Sequence, residues 1–269
     1  MTNACRSVVS SSVVACGLLL SLSSVALAQN VTGGSTGTSF DQLQPRPAEQ
    51  TMPAFSRIFT DTAHDFARLS KKQSLGWLSL GAGAALLAHT QDARVSTWAG
   101  SSDTVGGTQA GTTVGSFPFQ FGAALTTLAV AHMTNNSKAA NVAVDLAQAQ
   151  LVAQGATYAF KYAAQRTRPD GSARSFPSGH TSVTFASATV LQRHFGWKVG
   201  IPAYAVASYV GASRLESNRH FLSDVAFGAA LGIVAGRTVT IGKGNARFAV
   251  VPSAGIQSAA VSFAWVGKH

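Results

Sequence analysis

The chain has 269 residues, 46% of them hydrophobic and only 11% charged, with a formal net charge of +10. That apolar fraction excludes a disordered chain, and the charge deficit with abundant Gly and Ala points to tightly packed helices or to contact with a membrane. The basic balance suits an anionic substrate or an anionic membrane surface. No Lys/Arg-rich run with interleaved aromatics is present, which argues against nucleic acid.

In chain order, Arg6, the apolar stretch Val13 to Leu22 and Ala26-Leu27-Ala28 read as a secretory signal over residues 1–28. A retained N-terminal anchor and a lipidated Cys16 are the alternatives. Both cysteines, Cys5 and Cys16, fall inside this segment, so a mature chain has no thiol, disulfide or cysteine metal ligand. Loss of Arg6 lowers the net charge from +10 to +9. Residues 29–55, with prolines at 45, 47 and 53, read as a flexible lead-in.

A helical pattern follows, with helices expected over 55–72, 74–90, 117–133, 138–166, 181–195, 199–212 and 223–237, making 56–237 one all-α domain. Gly100 to Gly115 reads as a Gly/Ser/Thr-rich loop, Asn135-Asn136-Ser137 as a helix cap, and Pro169 to Gly179 as a loop. Spanning a membrane takes roughly 20 apolar residues. Asn141 to Ala164 is long enough but carries Asp145 and Lys161, the 199–212 and 223–237 segments are too brief, and only 75–90 and 117–133 come close. A soluble exported domain, periplasmic or in the cell envelope, is therefore favoured over an integral membrane protein. Residues 238–269 form a C-terminal extension whose alternating stretches suggest a β-hairpin, read as structural cover.

Three clusters carry chemistry. Lys161 and Arg168 are seven residues apart, two helical turns, so both are expected on one helix face that Pro169 terminates. Pro177-Ser178-Gly179-His180 precedes a helix start, where the Ser178 hydroxyl and the Gly179 amide can donate to an anion and His180 can protonate a leaving alkoxide near neutral pH. His220 and Asp224 are four apart, so the carboxylate can orient the imidazole for attack while Arg214 supplies a planar fork of donors. Together these place three cations, two histidines and a carboxylate around one phosphate monoester, with no metal needed. His64, His89, His132, His194 and His269 receive no role. Neither H-E-x-x-H nor clustered carboxylates occur.

These residues resemble the type 2 phosphatidic acid phosphatase (PAP2) superfamily, which includes bacterial acid phosphatases, lipid phosphatases and vanadium haloperoxidases. Its pattern K-x6-RP, PSGH, SR-x5-H-x3-D is met at Lys161, Arg168, Pro169, Pro177, Ser178, Gly179, His180, Ser213, Arg214, His220 and Asp224. The resemblance implies an all-α helical bundle in which His220 forms a phosphohistidine, Asp224 orients it and His180 protonates the leaving group. Lys161, Arg168, Ser178, Gly179 and Arg214 would then bind the phosphoryl oxygens. The interval from Pro169 to Pro177 is short for the family, which leaves the substrate open: phosphatidic acid, an isoprenyl diphosphate, lipid A, or a soluble phosphomonoester.

Two other functions stay open. A vanadium-dependent haloperoxidase would use the same cradle for vanadate as cofactor, although Thr181 and the short chain lean against it; for a phosphatase vanadate is an inhibitor. A non-catalytic phosphate-group binding protein is the third reading. Partners are a phosphorylated lipid or small molecule and a membrane surface, not nucleic acid.

Overall fold

A computed structural model describes residues 52–101 and 107–240, and the backbone alone of 248–255 and 258–265. Contacts divide the chain after Ala48, and the unit from Glu49 onward is the one described. The expected signal over 1–28 and nearly all of the lead-in lie outside these residues.

Nine helices follow in the described part: α1 (Arg57–Leu69), α2 (Lys72–His89), α3 (Asp92–Gly100), α4 (Thr108–Gly115), α5 (Phe117–Met133), α6 (Ser137–Ala164), α7 (Gly179–Phe195), α8 (Trp197–Glu216) and α9 (Leu222–Val239). Beyond them, Phe248–Gly255 pairs antiparallel with Ser258–Trp265 along the backbone. The all-α expectation holds for the domain, and α5 has the predicted bounds. The Gly100 to Gly115 loop is corrected: its second half is α4, a short Gly-containing helix whose apolar period is too brief to stand out.

Local chemistry sets the ends that matter. Asn136 caps α6 by accepting the Ala139 amide at 3.0 Å. The same helix stops at Ala164 because Gln165 turns left-handed, with φ 46°. This corrects the expectation that one helix carries both Lys161 and Arg168: Lys161 is on the last turn of α6, and Arg168 lies beyond it in the 165–178 segment. Likewise His220 precedes α9, and Asp224 sits in its first turn, accepting the Phe221 amide at 2.9 Å.

Helices α6, α7 and α9 pack against one another, while α5 packs on α6, α8 on α7 and α2 on α9. Ala149, Val152, Ala153, Ala186, Val190, Ala235 and Val239 form the buried seam of the central three. A second cluster, with Ile58, Leu128 and Val144, joins α1 and α5 to the N-terminal half of α6. The close approach of α9 to α7 depends on glycine: a Cβ at Gly232 would lie 2.2 Å from the Ser182 carbonyl oxygen, and one at Gly228 2.7 Å from that of Ser178. Backbones this near bring the Ser178-Gly179-His180 turn down onto the start of α9.

The 223–237 segment, read as too brief, is an 18-residue helix that passes a length and hydropathy test for a membrane span, although 61% of that window is buried inside the protein. Helices α4 and α5, bent by 53° at their junction, pass only as a pair. Many large apolar side chains face outward, among them Leu86 at 71%, Leu87 at 76%, Met133 at 82% and Ile201 at 66% exposure.

Candidate active site

A pocket of about 550 Å³ opens between the C-terminal end of α6, the start of α7 and the segment before α9. Lys161, Arg168, Gly179, His180 and His220 line it, with Gln154, Tyr158, Arg174, Phe117 and Pro118 completing its walls. Residues from three separate stretches of sequence thus converge on one space. Three of the expected site residues do not line it. Ser178, Arg214 and Asp224 are buried directly behind, exposed by 0%, 3% and 0%.

The cradle is built from the backbone outward. Residues 165–178 fold back on themselves through Ser175 N to Arg166 O at 2.7 Å and Arg168 N to Ser172 O at 2.8 Å, and Ser178 N to Asp224 O at 3.0 Å ties the segment's end to α9. Lys161 Nζ donates to the carbonyl oxygens of Arg174 at 2.7 Å and Ser175 at 3.2 Å. Two of its three protons are thereby committed, which aims the ammonium while leaving one donor for an anion. The buried Nε of Arg168 has no hydrogen-bond partner among the described residues. An uncommitted buried guanidinium donor is costly unless something accepts from it, and a phosphoryl oxygen is suited to that place.

Arg214 is held differently. Its Nη2 donates to the Thr108 carbonyl at 3.1 Å and to the Thr112 hydroxyl, and its Nε to the Ser213 hydroxyl. It is therefore tied to α4, the helix that the sequence did not reveal. Ser178 Oγ accepts from Thr181 Oγ1 at 2.9 Å, leaving its own proton to donate.

Both histidines are driven toward the neutral state. Burial, then the nearby Arg214 and His220, push His180 down to about 4. Burial likewise lowers His220, against the opposing pull of Asp224. The His180 imidazole is therefore neutral near pH 7, and the expected acid role calls for a bound anion whose charge raises its pKa. Lys161 falls to about 8, chiefly through burial and then repulsion by Arg168.

His220 Nδ1 lies 3.6 Å from Asp224 Oδ2, too long for a closed hydrogen bond. The carboxylate itself is fully engaged: Oδ2 accepts from the Ser175 hydroxyl and the Phe221 amide, Oδ1 from Arg166 Nη1 at 2.8 Å. Burial pulls the Asp224 carboxyl up, and the His220 ring, Ser175, the Phe221 amide and the Arg166 charge together hold it below its ordinary value.

Sequence reasoning missed Ser175, Arg166 and Asp92. Arg166 stands between Lys161 and Arg168 in the same stretch, so a third cation there was a visible cue. Asp92 offered none, since its contacts to Ser223 bridge 131 residues. Two histidines assigned no partner also have one: His89 meets Asp92 at 2.8 Å and His194 meets Asp145 at 2.9 Å. His132 similarly reaches the Pro53 carbonyl at 3.1 Å.

Residues 142–247 match the family model of the PAP2 superfamily. The chain is 46% identical over 86 residues to the lipid A 1-phosphatase of Porphyromonas gingivalis, a match covering 30% of this chain and 19% of that protein. It is 31% identical over 96 residues to the lipid A 4'-phosphatase of Helicobacter pylori, covering 31% of this chain and 48% of that one. The match therefore spans less than half the length of either relative. Among solved structures, a transmembrane PAP2-type phosphatidylglycerolphosphate phosphatase from Bacillus subtilis superposes with a TM-score of 0.48 at 20% identity, over 68% of this chain and 92% of that one.

Proposed function

We propose that this chain, a member of the PAP2 superfamily, hydrolyses phosphate monoesters of lipids without a metal ion, through a phosphohistidine at His220. One observation carries the reading: Lys161, Arg168, Gly179, His180 and His220 line a single pocket, with Asp224 buried behind His220. The relatives' names, lipid A 1-phosphatase and lipid A 4'-phosphatase, support a phosphorylated lipid as substrate class.

In this mechanism the phosphoryl group lies between Lys161, Arg168 and the first turn of α7, where the Gly179 amide donates to its oxygens and the Ser178 hydroxyl, buried just behind, donates after a small shift toward the pocket. Arg214 adds positive field from behind and, with a small shift away from α4, a direct contact. His220 Nε2 attacks phosphorus while Nδ1 keeps its proton and the Asp224 carboxylate balances the positive charge that develops on the ring. The P–O bond to the leaving group breaks, and its oxygen receives a proton from His180. Water then attacks the phosphohistidine, giving a proton to His180 and releasing phosphate, which restores both rings.

The outward apolar faces of α2, α5 and α8 support association with a membrane, in place of the soluble domain that segment length favoured. Residues 1–28 would direct export, and the 238–269 extension would serve as cover rather than chemistry.

Purified full chain assayed for phosphate release from a chromogenic monoester tests the reading. His220→Ala should abolish turnover, by at least about 10³-fold, while a chelator leaves the wild type unchanged. Turnover surviving in that variant rules out His220 as the nucleophile.

A further inference from the structure

We propose that Arg166 is a positioning residue for this reaction: by tying Asp224 to Asp92 on α3, it fixes the carboxylate that in turn holds the His220 ring. The proposal rests on the phosphatase reading for its catalytic meaning, while the linkage itself is a matter of geometry.

Arg166 does not line the pocket. Its Nη1 donates to Asp224 Oδ1 at 2.8 Å and to the Ser223 hydroxyl at 2.7 Å, and its Nη2 to Asp92 Oδ2 at 2.8 Å. Asp92 closes the figure by accepting the Ser223 amide at 2.9 Å and the Ser223 hydroxyl at 2.6 Å. The guanidinium also stacks over the Phe221 ring, 4.2 Å from its centroid. Every side-chain partner except Asp92 and His89, whose Nδ1 lies 3.4 Å from Nη2, belongs to the single turn, residues 221–224, that follows His220.

This placement matters because of what Asp224 does with its oxygens. Oδ2 faces His220 and is shared with Ser175 and the Phe221 amide, whereas Oδ1 has Arg166 as its charged partner. Rotation of the carboxylate about its Cβ–Cγ bond would carry Oδ2 away from the imidazole, and the anchored Oδ1 opposes that rotation. The cation also stands between two buried carboxylates, Asp92 and Asp224, exposed by 4% and 0%. Without it they would face each other with no charge between them, and Asp224 would bind a proton more readily. A lysine could supply the charge but not the fork that reaches Asp224, Ser223 and Asp92 together.

The test compares wild type with Arg166→Ala and Arg166→Lys in the full chain. Loss of one charge-assisted hydrogen bond to Asp224 should lower kcat by roughly ten- to a hundredfold in the Ala variant, less in the Lys variant, with KM within about threefold. The acid limb of kcat/KM should also move to higher pH in Arg166→Ala and stay in place in Arg166→Lys, which keeps the charge. In the Ala variant His220 is surrounded by Lys161, Arg168, Arg214, His180 and the two carboxylates with one cation fewer, so it holds its proton to higher pH. A merely structural arginine would lower the thermal midpoint and leave the limb of Arg166→Ala in place, and that outcome overturns the proposal, as does an unchanged kcat.

Should Arg166→Ala fail to fold, Arg166→Gln, which removes the charge and keeps a polar side chain of similar length, decides by the same limb. Should the wild type release no phosphate, the phosphatase reading falls by itself. The positioning claim is then decided by ¹⁵N NMR titration of the His220 ring, with an upward-shifted midpoint in Arg166→Gln supporting it and an unchanged midpoint overturning it.

Discussion

At the scale of single residues, Lys161 combines two demands that pull against each other. Its ammonium is one of three cations that line the pocket, with Arg168 and Arg174, yet burial and the neighbouring Arg168 push it down to about 8. The sign follows: below that value the free enzyme carries the cation, and as pH rises through about 8 the cation is lost and the cradle weakens. The expected result is an alkaline limb in kcat/KM with a midpoint near about 8, which Lys161→Arg removes, because a guanidinium stays charged. A limb that persists unchanged in Lys161→Arg would assign it to another group. His180 bears the complementary constraint. Pushed down to about 4, it takes its proton only in the presence of the phosphate's charge. Replacing it by Asn should therefore slow esters with poor leaving groups far more than a nitrophenyl ester, whose departing oxygen needs little protonation; equal losses on both would contradict an acid role.

Among elements, the pair α7 and α9 holds the two halves of the site together, and its spacing is set by glycines. Gly232→Val would force several atoms against the Ser182 carbonyl, which already stands 2.2 Å from where a Cβ would be. Overpacking of this kind costs about 1–3 kcal/mol, and here it acts at backbone, which cannot swing aside. Thermal unfolding should show the loss, and kcat should fall with it because α7 carries His180 while α9 carries Asp224. Wild-type stability in Gly232→Val would mean that the two helices can separate without harm.

This scale also shows what could be read from the sequence. The motif residues Lys161, Arg168, Gly179, His180 and His220 were legible because a local order of cations, glycine and imidazoles carries their chemistry, and they do meet in one pocket. Asn136 as a cap and α5 as an apolar run were legible for equally local reasons. The end of α6 was not, since the left-handed turn at Gln165 has neither glycine nor proline to announce it, and Pro169 drew the boundary too late. Helix α4, which engages Arg214, and Asp92, which reaches Ser223 and Arg166, depend on contacts across about a hundred residues or more and leave no periodic trace.

For the whole molecule, the outer surface decides how a lipid would reach the pocket. Helix α2 has no charged side chain between Lys72 and its end at His89, and exposes Leu75, Leu80, Leu86 and Leu87. Scattered exposed leucines are ordinary, but four on one helix whose exposed side carries no charge after Lys72 mark contact with an apolar phase. Added to the net charge of +10, this surface should bind vesicles that contain anionic lipid, with the attraction weakening as salt screens it. The double change Leu86→Ser with Leu87→Ser separates the contact from the chemistry, since both side chains project outward, at 71% and 76% exposure, away from the pocket residues. Substitutions at such exposed positions change stability by about 0.5 kcal/mol or less. The variant should keep its rate on a soluble chromogenic monoester and lose several-fold in co-sedimentation with vesicles and in phosphate release from a vesicle-borne lipid phosphate. Equal losses on the soluble and the lipid substrate would place the effect in the fold instead, and undiminished vesicle binding would move the membrane contact off α2 to α5 or α8.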